Sequence, residues 1–158
     1  MPTHVELRID VATSAEHAFN YFTAWHRQSE WMVGTRVEVR QPGPLGNGRG
    51  VGGEFAAWTG IGPLGFWDTM TITSWQENAR VDVLHTGKLV RGTGSMWVQP
   101  VTENTCVFVW EEDLDLPLGK VGEWGFVIVK PLFLWGIRVS LERFARAAQA
   151  LAEDTSKG

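Results

Sequence analysis

The chain has little cysteine, little tyrosine, few long apolar runs and no excess of positive charge, and each shortage removes a class of protein. Its single cysteine, Cys106, cannot form an intramolecular disulfide, so the fold has to rest on its core. A formal net charge of −4, with 20% charged residues, leaves no electrostatic footprint for nucleic acid or for an anionic membrane. The longest apolar run, residues 124–139, is broken by Lys130-Pro131 and by Arg138. It falls short of the ~20 apolar residues that span a bilayer, so no integral membrane segment is expected. Residues 1–10, MPTHVELRID, lack the basic and apolar regions of a signal peptide. Together these features predict a cytoplasmic protein whose 158 residues form one domain, 1–158, large enough for a sizeable core.

Signatures of metal, nucleotide and nucleophile chemistry are missing too. His4, His17, His26 and His85 show no His-x-x-x-His spacing and Cys106 has no companion, so no metal site is expected. Gly48-Arg49-Gly50-Val51-Gly52-Gly53 and Gly60-Ile61-Gly62-Pro63-Leu64-Gly65 both fit G-x-G-x-x-G, but neither opens a helix that could receive a pyrophosphate. They read as loops, and no cofactor is expected. There is no G-x-S-x-G elbow.

What is present is glycine and tryptophan. Eighteen glycines fit strands and turns better than a helical bundle. Nine tryptophans against one tyrosine leave two readings: aromatic packing on both faces of a sheet, or an aromatic-lined cavity.

Residues 5–11 alternate Val5, Leu7, Ile9, Val11 against Glu6, Arg8, Asp10, the pattern of a half-buried strand. Ser14 follows as an N-cap, then Ala15, Ala18, Phe19 and Phe22 at helical spacing, with a second short helical turn over 26–31. Strands are predicted over 35–40, 54–59, 66–76, 80–86, 93–99 and 105–114. The breaks after residue 53 are too short for crossovers, so those strands form an antiparallel meander. Last comes a helix over 131–153, with Pro131 in its first turn. Its stripe is Leu134, Ile137, Leu141, Phe144, Ala148 and Leu151.

Hairpin arithmetic assigns faces. A turn at Glu77-Asn78 sets Met70 opposite His85 and Ile72 opposite Val83; a turn centred on Thr102-Glu103 sets Met96 opposite Val109 and Gly94 opposite Glu111. The face turned to the helix then carries Phe66, Asp68, Met70, Ile72, Val81, Val83, His85, Met96, Val98, Val107, Val109 and Glu111. The outer face carries Trp67, Trp97, Cys106 and Trp110. A one-residue slip exchanges the two sets.

The opening IDVATSAEHAFNYFTAWHRQSEWMVGTRVEV, the glycine-rich GPLGNGRGVGG, the TITSWQENARVDV hairpin and the close KPLFLWGIRVSLERFARAAQAL carry a resemblance over nearly the whole chain. The chain resembles the SRPBCC, or START–Bet v 1-like, helix-grip superfamily, and within it the bacterial polyketide cyclase/dehydrase and lipid-transport group. The resemblance implies an α+β fold: a curved seven-stranded antiparallel sheet wrapped around the C-terminal helix, with two short helices after the first strand and a hydrophobic cavity between. Trp25, Trp31, Trp58 and Trp124 are expected to ring its mouth. Phe66, Met70, Val83, Met96 and Val109 are expected to line it from the sheet, and Phe133, Leu134, Ile137, Leu141 and Arg138 from the helix. Phe144, Ala148 and Leu151 should seal the core.

Three functions remain open at this point. One is the binding of a hydrophobic or aromatic small molecule. Another is a polyketide cyclase or dehydratase with Asp68, His85 or Glu111 as acid and base, although these three groups could equally be solvated or structural. A third is docking to a partner, or homodimerisation, through Trp67, Trp97 and Trp110.

Overall fold

In the computed structural model, which describes residues 3–115 and 119–157, seven strands and one long helix account for most of the chain. The strands are β1 (Thr3–Val11), β2 (Thr35–Gln41), β3 (Glu54–Ile61), β4 (Leu64–Gln76), β5 (Arg80–Thr86), β6 (Arg91–Thr102) and β7 (Thr105–Asp115). They form one antiparallel sheet in the order β1-β7-β6-β5-β4-β3-β2. The sheet is curved, and with the C-terminal helix it gives the helix-grip α+β fold.

Between β1 and β2 lie α1 (Ala15–Phe22) and a 3₁₀ helix (Trp25–Glu30). Ser14 caps α1, its Oγ accepting from the His17 amide at 3.2 Å, which satisfies one of the orphan donors of the first turn. Phe19 and Phe22 are fully buried below it. Trp25 stacks on Phe55 at 4.2 Å and donates from Nε1 to the Gly48 carbonyl at 2.9 Å. Gly48 (φ 77°) lies so close to that indole that a Cβ would come within 3.1 Å of it. The glycine-rich loop therefore serves as a seat for Trp25. Trp25 and Trp31 are both core residues rather than cavity-mouth residues, because each indole is enclosed by other rings.

Two hairpins set the sheet faces, and each departs from simple arithmetic. Between β4 and β5 the connection is three residues, Glu77 to Ala79, with Asn78 left-handed at φ 60°. A bulge between Ile72 and Ser74 absorbs the extra residue. Met70 still faces His85 and Ile72 still faces Val83, as expected. The same bulge swings Trp75 onto the helix side, where it packs edge-on against Phe19 at 5.3 Å.

Between β6 and β7 the expectation fails by one residue. Thr102 pairs with Thr105, and a bulge follows at Pro100, which has no N–H for the ladder. Val98 consequently faces Phe108, Met96 faces Trp110 and Gly94 faces Glu112. Cys106, Phe108, Trp110 and Glu112 thus point to the helix side, and Val107, Val109 and Glu111 to the outside. The amphipathic signal could not reveal this, since residues 106–110 are apolar on both parities.

The C-terminal helix, α2, runs Gly119–Ser156. It starts a dozen residues before the expected first turn and carries Pro131 in its interior. Proline removes the bond to the Val127 carbonyl, but Pro131 is on the exposed side, where water can replace that bond. The second half packs as expected. Leu141, Phe144 and Ala148 are buried, and Phe144 meets Trp31 at 5.0 Å, Phe108 at 4.6 Å and Tyr21 at 5.4 Å. Ser140 adds a polar tie, its Oγ accepting from the Val33 amide at 2.9 Å and donating to the Gly136 carbonyl at 2.7 Å.

Candidate functional site

Among the described residues, the buried ionisable groups of the concave face gather at one place. His85 on β5 is hydrogen-bonded on both ring nitrogens: Nδ1 lies 2.9 Å and 3.0 Å from the two Asp68 carboxylate oxygens, and Nε2 lies 2.8 Å from Glu112 Oε2. The side chains of His85, Glu112 and Asp68 are 3%, 9% and 15% exposed.

The sequence builds this cluster through strand register. Asp68 is two residues from Met70, the direct partner of His85, so it reaches the ring diagonally across the β4–β5 pair. Glu112 is on β7, one whole strand away from β5. It reaches His85 because β6 has no side chain in between: Gly94 pairs with Val83 on one side and Glu112 on the other. A Cβ on Gly94 would sit 2.7 Å from Glu112 Oε2. Gly94→Ala should therefore expel the Glu112 carboxylate from His85. The expected cost is about 1–3 kcal/mol in chemical denaturation, with a fall in the His85 pKa visible by NMR.

Burial acts to strip the charge from His85, but the hydrogen bonds to Asp68 and Glu112 outweigh it and raise the imidazole to about 10. It is an imidazolium at neutral pH. Burial pushes the Glu112 carboxyl above the ordinary range, and the bond to His85 offsets this only in part. A histidine and two carboxylates are thus held together in a low-dielectric place, an arrangement common where proton transfer is needed.

The other expected site residues divide. Met70, Val83 and Met96 are buried together in one apolar cluster with Leu141, and Ile137 packs against it. Phe66 lies on the same face at the open end of β4 and is partly exposed. Phe133 and Leu134 are half-buried, whereas Arg138 projects to solvent. Trp124 is exposed, so it rings no mouth in this arrangement.

Three expectations are corrected by the register. Glu111 belongs to the outer face, where the His4 ring comes within 3.9 Å of its carboxylate, and Glu112 takes the place foreseen for it. Val109 is also on the outer side, opposite Trp97 and Arg8. Trp58 pairs with Trp67 on the outer face, and the Arg36 guanidinium lies over both rings at 5.6 Å and 5.4 Å. The outer tryptophan trio is likewise divided, since Trp110 turns inward and meets Trp31 edge-on at 6.5 Å, while Arg80 covers Trp97. Cys106 is buried on the concave side.

The indole N–H of Trp31 is buried without a hydrogen-bond partner among the described residues, and that of Trp110 is directed at the Glu112 carboxylate, which it helps to hold in its charged form. Two surface hollows, of about 330 Å³ beside Gly34 and Trp58 and about 440 Å³ beside Asp10 and Gln149, are not lined by the cluster. His4, Glu6 and Glu111 gather their ligating atoms within 4.8 Å on the outer face, with His4 and Glu6 exposed and Glu111 half-buried.

Comparison with known proteins agrees with this architecture. No curated protein matches the chain. Among solved structures, the Zhui aromatase/cyclase from Streptomyces sp. R1128 superposes with a TM-score of 0.75 at 12% identity, over 94% of each chain. A START superfamily protein from Mycobacterium smegmatis gives 0.68 at 14% identity, over 96% of this chain and 98% of that one. Norcoclaurine synthase from Thalictrum flavum, in complex with dopamine and hydroxybenzaldehyde, gives 0.63 at 14% identity, over 93% and 86%. At such identities the likeness concerns the fold. A family model described as polyketide cyclase / dehydrase and lipid transport matches residues 2–149, and the chain belongs to that family.

Proposed function

We propose that the protein binds an apolar or aromatic small molecule carrying a carbonyl or hydroxyl group, held on the concave face with its oxygen at the Asp68–His85–Glu112 cluster. The cluster is the observation that carries this reading. Three largely buried ionisable groups are costly, and apolar residues of similar size would commonly serve stability as well or better. Their retention fits a polar task inside an apolar surface. Asp68 is the most accessible of the three, and partly exposed Phe66 stands two residues away on the same face, so entry from that end of the sheet is the shortest route. The buried, unpaired N–H of Trp31 is a further donor looking for an acceptor. The family description names polyketides and lipids, and the norcoclaurine synthase holds small oxygenated aromatics, both compatible with such a ligand.

A second reading has one observation in its favour, the proton held between His85 and two carboxylates. A β-ketone there could lose an α-proton to a carboxylate and receive one at its carbonyl oxygen from the imidazolium, the start of a cyclisation or dehydration. Native mass spectrometry of the purified protein separates the readings. The first expects one small molecule per chain, bound about tenfold more weakly after Asp68→Asn. Turnover of a polyketide mimic that vanishes in Glu112→Gln would favour the enzyme. A bare protein that captures no apolar carbonyl compound would remove both.

A further inference from the structure

The outward face of α2 changes character partway along. Val121, Trp124, Ile128, Leu132 and Trp135 follow one another at 3,4,4,3 spacing and are 58% to 79% exposed. Continuing along the same side, the chain places Arg138, Glu142, Arg143 and Arg146 in solvent. The inward face shows no such change: Phe126, Phe133, Ile137, Leu141, Phe144 and Ala148 recur along it, interrupted only by the half-buried Lys130. A helix whose outer side is all apolar for four turns and charged thereafter is not explained by the protein's own core.

We propose that the first half of α2 is a membrane-surface element that lies in the headgroup–acyl boundary of an anionic lipid layer. Two alternatives fit less well. The apolar exposure is too broad for a seam with a second copy. Val127, Ile128 and Val129 are consecutive and all exposed, so the apolar arc covers about 200° of the helix, whereas a helix–helix seam uses roughly two positions in seven. The segment is also short for a span. By length and composition alone α2 could cross a membrane, but the apolar outer face from Val121 to Trp135 is only about 22 Å long at 1.5 Å per residue, against about 30 Å of hydrocarbon.

Charge and aromatic placement point the same way. From Lys120 to Arg146 the helix carries five cations, Lys120, Lys130, Arg138, Arg143 and Arg146, against the carboxylates Glu123 and Glu142, in a protein whose net charge is −4. Lys120 and Arg138 border the apolar arc at its two ends, with Arg143 and Arg146 exposed just beyond it, which suits snorkelling to lipid phosphates. Trp124 and Trp135 stand near its two ends, where indoles favour the interface. The overall acidity that argued against an anionic membrane hides this local basic end.

Flotation with phosphatidylcholine vesicles, with and without about one-third phosphatidylglycerol, tests the proposal. The protein should float with the anionic vesicles. The double variant Ile128→Asp/Leu132→Asp should float about tenfold less while melting at the same temperature, because both side chains are exposed. Arg143→Gln/Arg146→Gln should lose the preference for anionic over neutral vesicles. Failure of the wild-type chain to float, or equal flotation of the aspartate variant, overturns the proposal. So does a solution dimer that the same aspartates dissociate, which would give this face to a second copy.

Discussion

Replacing His85 with alanine is expected to destabilise the protein by about 3–5 kcal/mol at neutral pH, the cost of leaving buried carboxylates without their partner. Asp68 and Glu112 would then face each other across a cavity, and Glu112, already raised by burial, would take up a proton. The pH dependence of stability should change as well. His85 rises from 6.5 in the unfolded chain to about 10 in the fold. Its contribution is therefore complete below about 6.5 and is lost progressively as pH climbs towards about 10, by at most about 1.4 kcal/mol per pH unit. Glu112 acts in the same direction, because a carboxyl whose pKa the fold raises contributes stability that is lost as pH rises. Urea denaturation from mildly acidic to alkaline pH should show a steady decline for the wild-type chain and a flatter curve for His85→Ala.

Phe144→Ala should cost a similar amount, about 3–5 kcal/mol, for a different reason. The ring is fully buried and touches Tyr21 from α1, Trp31 beyond the 3₁₀ helix and Phe108 from β7, so it joins three separate parts of the chain. Large neighbouring rings cannot collapse easily into the space it leaves. The loss should appear as a lower denaturation midpoint with an unchanged pH slope, which distinguishes it from His85→Ala.

The fold was legible in the sequence because its signals are local. Alternation in residues 5–11, the Ser14 cap and the apolar stripe from Leu134 to Leu151 each specify an element on their own. The site was legible only in part. Asp68 and His85 were found because the β4–β5 bulge and the three-residue turn cancel, leaving the distant pairs where a two-residue turn would have put them. Glu112 was missed in favour of Glu111 because the β6–β7 offset does not cancel, and a strand apolar on both sides gives no parity to correct it. The one available hint was Gly94, whose bare position makes sense only beneath a side chain that must cross β6. The apolar outer face of α2 was missed for a simpler reason. Pro131 reads as a first-turn residue in the sequence, which masks the continuity of residues 119–130 with the rest of the helix.

The concave face holds a charged cluster built around His85, and the ring ¹⁵N shifts of that histidine report its charge state. Assigned by comparison with His85→Gln, both ring nitrogens should remain protonated through neutral pH, with no inflection until about pH 10. A single inflection near 6.5, as in a solvated histidine, would mean that no such charged cluster exists.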